Sequence, residues 1–156
     1  MRVHLCAVGR LRAGPEKVLV DDYATRFDRT GRALGLGPLT ITEIEDRKGA
    51  GIEAEATLLM RALPDRARLI ALDERGKTMA SPAFAATLAG FRDDGASDLA
   101  LVIGGADGLS AALRDRADLV LSLGSMVWPH MLARVMLAEQ LYRAAAILAG
   151  TPYHRA

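Results

Sequence analysis

At 156 residues, with 51% hydrophobic and 25% charged residues, the chain is one domain's worth of sequence and too apolar to stay disordered. A formal net charge of +1 gives no strong field, so it neither demands nor forbids nucleic acid, whose dedicated domains are often far more basic. One cysteine, Cys6, excludes an internal disulfide framework, and no apolar run is long enough to span a bilayer, so no membrane partner is expected.

Val3–Val8 is a short apolar run ended by Gly9 and reads as a first strand. Inside it Cys6 reads as a small buried hydrophobe and His4 as a satisfied sheet residue rather than a ligand. The start MRVHLCAVG lacks a full signal-peptide core, which makes the cytoplasm the expected address. Leu19, Tyr23 and Phe27 recur every four residues after Pro15 and mark one face of a helix. Arg10 and Arg12 before that helix, with Arg26, Arg29 and Arg32 at its exit, form either a basic rim or an ordinary solvated surface. The basic residues are 17 Arg and 3 Lys; guanidinium groups suit phosphate, and a biased genome gives the same skew, so both readings stay open.

Gly31, Gly35, Gly37 and Pro38 make a turn-rich link, and Leu39–Ile44 alternates apolar and polar as a half-exposed strand does. The charged stretch Glu45–Gly51 reads as a loop; Ile52, Ala56, Leu59 and Leu63 mark a second amphipathic helix stopped by Pro64. Leu69–Leu72 is a third strand with Asp73–Gly76 at its end. Ser81 and Pro82 read as an N-cap and first-turn pair, and Phe84, Leu88 and Phe91 as the buried stripe behind them. Leu99–Ile103 and Leu119–Leu123 are two further strands, breaking into the glycine loops Gly104–Gly108 and Gly124–His130 on either side of a short helix.

Strands alternating with helices predict a single α/β domain over residues 1–156, with a mainly parallel sheet covered by helices on both faces. Sites in such sheets lie outside the carboxyl ends of the strands, here Asp73–Gly76, Gly104–Gly108 and Gly124–His130. The familiar chemistries are missing. There is no GxGxxG after the first strand, no Walker A sequence, no GxSxG elbow, and no HExxH or cysteine–histidine spacing, so no metal is expected. What remains is main chain opened by Gly104, Gly105 and Gly108 and lined by Leu72, Leu123, Met126, Val127 and Trp128. That lining suits an adenine or thioether cofactor, although singly Leu72 and Leu123 are ordinary strand core and Trp128 fits a cover over the sheet equally well.

The segment Met131–Ala149 is apolar nearly all round. Leu132, Val135 and Met136 form one side, and Leu137, Leu141 and Ala145 another. Either a second copy of the chain covers one side, which predicts a homodimer, or the segment is wrapped inside its own fold. Arg134, Glu139 and Arg143 interrupt it; a charge buried there needs a partner or a ligand, which makes Arg134 a candidate functional residue.

GGADG at 104–108, LSLGSMVWPHMLARVMLAEQLYRA at 121–144, PYHR at 152–155 and the opening VHLCAVGRL resemble the RlmH family of SPOUT methyltransferases. The resemblance implies a deep trefoil knot within about 69–150, a device otherwise nearly absent from folds. It implies a homodimer, S-adenosyl-L-methionine as cofactor, and methylation of N3 of a pseudouridine in a 23S rRNA hairpin on the assembled 70S ribosome. Carried over by motif, Leu72, Gly104, Gly105 and the run Leu123, Gly124, Ser125, Met126, Val127, Trp128 would contact the cofactor. Tyr153, His154 and Arg155, in a tail over 150–156, would approach the partner subunit's pocket and meet RNA. His130, His154 or water would take the N3 proton, with His154 favoured because a tail is free to close over RNA. Arg155 and Arg134 would position phosphate or base. A non-catalytic ribosome-binding factor and a tRNA methyltransferase of the same superfamily are the alternatives.

Overall fold

The computed structural model of the chain describes residues 1–45 and 49–155. Positions 46–48 of the expected loop and residue 156 of the expected tail lie outside the described residues. In chain order the elements are β1 (Arg2–Val8), α1 (Pro15–Gly31), a 3-10 turn (Arg32–Leu34), β2 (Leu39–Ile44), α2 (Gly51–Ala62), β3 (Arg68–Lys77), α3 (Ser81–Asp93), β4 (Asp98–Ile103), α4 (Ala111–Arg116), β5 (Leu119–Leu121) and α5 (His130–Ala149). The strands form one sheet in the order β2-β1-β4-β3-β5, with every pairing parallel.

Both faces of the sheet are buried, so each central strand is apolar at successive positions rather than alternating. Val3, Leu5 and Ala7 of β1, with Leu99, Leu101 and Ile103 of β4, pack with Phe27 of α1, Phe84 and Leu88 of α3, and Leu137 and Leu141 of α5. Cys6 and Val8, with Ala100 and Val102, pack on the other side with Leu59 of α2 and Leu113 of α4. Burial pushes the Cys6 thiol up to about 11, so it is an inert core residue, as expected. His4 sits at the opposite sheet end from the glycine loops, its Nε2 2.7 Å from Asp98 Oδ1, the carboxylate that Arg2 also grips.

Three local expectations are corrected. The inward stripe of α1 runs through Val20, Phe27 and Gly31, because Val20 packs against Val135 and Ala138 of α5; Leu19 is left 41% exposed. Ser81 is the first residue of α3 and caps nothing; its Oγ instead donates to Gln140 Oε1 at 2.7 Å. β3 continues past Leu72 to Lys77. Leu72 and Lys77 both register with Leu121 of β5, so Asp73–Gly76 form an irregularity within the strand rather than a loop after it.

Arg134 is the largest fully buried side chain in the molecule. Its guanidinium donates to Glu43 Oε2 at 2.6 Å, Gly9 O at 3.0 Å and Val8 O at 3.4 Å, and the same Glu43 oxygen accepts the Leu11 N–H. Arg134 therefore ties α5 to the carboxyl ends of β1 and β2 through Nη1 and Nη2, while its Nε is buried without a hydrogen-bond partner among the described residues. Replacing Arg134 by Ala strands Glu43 without its cation. Urea unfolding should show a loss of about 3 kcal/mol, the low end for a buried pair because Glu43 keeps part of its surface in water.

Candidate functional site

The carboxyl ends of β3, β4 and β5 enclose a cavity of about 260 Å³. Of the residues singled out from the sequence, Leu72, Gly104, Gly105, Leu123, Gly124, Met126, Val127, Trp128 and His130 line it together. Ser125 belongs to the same loop but does not line the cavity. Asp73, Glu74, Arg75, Ile103, Ala106, Asp107 and Ser122 complete much of the wall.

The glycines act in two ways. A Cβ on Gly104 would sit 2.4 Å from Gly108 O, because the 104–108 turn folds back on itself through the Gly108 N–H to Gly105 O bond of 3.0 Å. Gly104 thus serves close packing of the turn against itself. Gly124 has no atom within 4 Å of a would-be Cβ and a φ of +112°, so it is needed for its conformation and leaves open space in front of the backbone. Gly76 allows another close approach, since its Cβ would meet the Val120 carbonyl at 2.6 Å.

Asp73 is the buried charge of this wall. Its side chain is 4% exposed, it accepts the Arg75 N–H at 2.9 Å, and the Arg75 and Arg114 guanidinium groups each lie 3.6 Å away. Opposite it the 126–128 loop is open: Met126, Val127 and Trp128 are 72%, 87% and 41% exposed, so Trp128 edges the cavity and does not cover the sheet. Met131 and Leu132, one turn into α5, continue the same exposed apolar surface.

The tail is placed elsewhere, along the C-terminal half of α5. Tyr153 donates its hydroxyl to Glu139 Oε1 at 2.9 Å and stacks at a tilt on Tyr142, ring centres 4.5 Å apart. Burial first, and then the bond to Glu139, raises the Tyr153 hydroxyl well above the ordinary tyrosine range, so it remains a donor. Arg143 reaches His154 Nδ1 at 3.2 Å and holds Glu139 through Nε at 2.9 Å, and Arg155 is exposed. Glu139, the centre of this network, had shown in the sequence only as an interruption of an apolar helix. It lines a second, larger cavity of about 560 Å³ between α1, α3 and α5, together with Leu19, Tyr23, Met136 and Gln140. The two cavities share Ser122, Leu123 and Gly124.

A family model described as a predicted SPOUT methyltransferase matches residues 1–154. A curated protein of Dinoroseobacter shibae named ribosomal RNA large subunit methyltransferase H is 71% identical over 155 residues, covering 99% of each chain. A relative of the same name from Roseobacter denitrificans is 68% identical over the same length and coverage. Among solved structures, a probable methyltransferase of Bordetella pertussis superposes with a TM-score of 0.54 at 15% identity, over 92% of this chain and 96% of that one. A probable methylase family protein of Haemophilus influenzae gives 0.52 at 12% identity, over 99% and 70%. These two likenesses are of fold.

Gly104→Ala forces the added methyl into the Gly108 carbonyl and should lower stability by about 2 kcal/mol, or about 6 °C in Tm. Gly90→Ala, at an exposed position of α3 with nothing within 4 Å of the new Cβ, should instead raise stability by about 0.5 kcal/mol. Thermal melts of the two variants against the parent check both signs.

Proposed function

This chain belongs to the SPOUT methyltransferase family, among the ribosomal RNA large subunit methyltransferase H proteins, and we propose that it methylates N3 of a pseudouridine in 23S rRNA, with S-adenosyl-L-methionine as methyl donor. The observation that carries the reading is the glycine-turned cavity at the carboxyl ends of β3, β4 and β5, in a chain of that family. Leu72, Ile103, Leu123, Met126, Val127 and Trp128 offer apolar contact to an adenosine and a thioether side, and main chain of Gly104, Gly105 and Gly124, the last turned by its bonds to Ser122 Oγ, borders the cavity. Asp73, Glu74 and Asp107 put carboxylates on the wall of a cavity whose cofactor carries a sulfonium and an ammonium. The residues present therefore suit this group. When bound, it supplies an electrophilic methyl group. The chain's own work is alignment: holding the acceptor nitrogen in line with that methyl group is the kind of orientational gain seen in intramolecular reactions.

The working unit of this reading is a homodimer. Val18, Leu19, Met126, Val127, Met131 and Leu132 are large apolar side chains left at least 40% exposed, a patch that a second copy suits. Along α5, His130 at the glycine cavity and Arg143 under the tail are separated by a rise of about 20 Å, so a tail seated on its own helix is distant from its own His130. A two-fold partner supplies the nearer cavity. The trefoil knot within 69–150 is the part of this reading that the family membership carries.

A net charge of +1 favours a preformed ribosomal surface over free RNA, because affinity from counterion release grows with the number of phosphates neutralised. Arg26 is partly occupied already by Asp22 at 3.0 Å, which leaves Arg10, Arg12 and Arg29 as the cations to pool across a dimer. The ribosomal substrate also places the reaction in the cytoplasm.

An N3 methyl removes the Watson–Crick donor, so methylation is read as a reverse-transcription stop. Unmodified 70S ribosomes incubated with the protein and S-adenosyl-L-methionine should gain a stop at a 23S pseudouridine. Free 23S rRNA extracted from the same ribosomes, and so carrying the same pseudouridines, should react at least about tenfold more slowly. A label that goes to tRNA, or none on ribosomes, overturns the reading. For the dimer, Leu132→Glu should sediment as a monomer and lose methylation while keeping the parent's circular dichroism; a monomeric parent overturns it.

A further inference from the structure

The tail is gripped by a relay that begins on another helix. Ser81 Oγ on α3 donates to Gln140 Oε1 at 2.7 Å, and Gln140 Nε2 donates to Glu139 Oε2 at 3.0 Å. The other Glu139 oxygen accepts from Arg143 Nε at 2.9 Å, from Arg143 Nη2 and from the Tyr153 hydroxyl at 2.9 Å. Arg143 also lies over the Tyr153 ring, 4.8 Å from its centre, and its remaining arm, Nη1, reaches His154 Nδ1 at 3.2 Å.

We infer that Arg143, oriented by Glu139, is a positioning residue that fixes His154 as the Nε2–H tautomer, so that His154 gives a hydrogen bond to the substrate ring instead of taking its proton. The step from distance to tautomer is chemical. A guanidinium has only donors, so Nδ1 must be the acceptor in this contact. An imidazole that accepts at Nδ1 carries its proton on Nε2, and an imidazolium cannot accept at all. The other ring nitrogen, Nε2, is therefore an N–H. On this inference His154 acts as a donor, in place of the general-base role favoured for it from the sequence.

A donor is useful to this reaction. When the N3–H bond of a uracil ring breaks, the proton goes to hydroxide from solvent and the charge spreads over N3 and the two flanking carbonyl oxygens. An Nε2–H placed on one of those oxygens stabilises the anion, as donors do at developing charge elsewhere. The N3 lone pair then bonds the methyl carbon, and the pair of the broken carbon–sulfur bond stays on sulfur as a neutral thioether. The charged and titratable groups around the tail are Arg143 and Glu139 on α5, Tyr23 and Arg26 of α1 around Tyr142, and Tyr153 and Arg155 in the tail itself.

The inference rests on the proposed methylation, and its test separates the two. The 15N signals of histidine-labelled free protein report the tautomer without any turnover: an unprotonated Nδ1 and a protonated Nε2 at His154 are expected, with a mixture of tautomers in Arg143→Ala. In single-turnover methylation of ribosomes, His154→Ala should lose about 100-fold, whereas His154→Gln, which keeps a donor but has no basic nitrogen, should stay within about tenfold of the parent. Arg143→Ala should lower kcat about tenfold with less than about a twofold change in KM for ribosomes, and Arg143→Lys should recover part of it. The logarithm of the parent's rate should climb steadily from about pH 7 to 8.5, as dependence on hydroxide requires, where a side-chain base would level off once fully deprotonated. A protonated Nδ1 in the parent, a His154→Gln variant as slow as His154→Ala, or a plateau present in the parent and absent from His154→Gln overturns the inference. A parent that leaves ribosomes unmethylated overturns the proposed function instead, and the tautomer is still read from the free protein.

Discussion

A buried guanidinium decides where the longest helix lies. Arg134 is about as costly a group as a core can hold, and it is tolerated because Glu43 supplies the opposite charge while Val8 and Gly9 supply carbonyls at the end of β1. None of those partners sits on α5. The helix can satisfy its charge only by lying across the ends of β1 and β2, and that placement carries His130 to the edge of the glycine cavity and Glu139 to the wall of its neighbour. The helix is therefore held by a directional contact as well as by apolar packing, which by itself would tolerate sliding.

The cavity in turn is made from main chain that approaches main chain. Gly104 against Gly108 and Gly76 against Val120 are contacts in which a methyl group has no room. Because β3 carries its irregularity at Asp73–Gly76, its charged residues are lifted to the cavity wall while Lys77 rejoins β5 at Leu121. The strand thus serves two purposes: Leu69, Ile70 and Ala71 are core, and five residues later the same strand is site. Gly108 and Gly124, with φ of +79° and +112°, have a conformational reason for being there, and of the two Gly124 faces open space.

How much of this could be read from the sequence follows from the range of the forces involved. The continuous apolar runs of β1, β3 and β4 announce strands buried on both sides, and glycine at their ends announces the cavity edge. Those signals are local, and the structure agrees with them. Leu19 misled because a repeat of four fits two neighbouring stripes of one helix, and contact with Val135 and Ala138 selected the stripe through Val20. Ser81 misled because serine beside proline opens many helices, while here Gln140, 59 residues away, claims the hydroxyl. Arg134 was legible as a buried charge in need of a partner, but Glu43 lies 91 residues distant and no pattern along the chain points to it. The tail network has the same character. Glu139 and Arg143 stand one helical turn apart, which is readable; that the last residues fold back onto them is not.

The geometry of α5 also bears on how one helix serves the proposed site of cavity and tail. Its 20 residues rise about 30 Å, and its two ends carry different equipment. The first turn presents His130 beside exposed Met131 and Leu132; the middle of the helix and the turn after it present Glu139 and Arg143 beneath Tyr153 and His154. Within one chain these groups point to separate places, since the rigid helix keeps them apart. In the dimer proposed above, a two-fold that set antiparallel copies of the helix side by side would bring the first turn of one towards the tail of the other. The apolar side chains at the first turn then gain a cover, and the relay from Ser81 through Glu139 has a reason to hold the tail stiffly. A loose tail would lose the ordering entropy anew at each encounter with RNA, whereas one already fixed by Arg143 and Tyr142 meets the substrate with its donor in place.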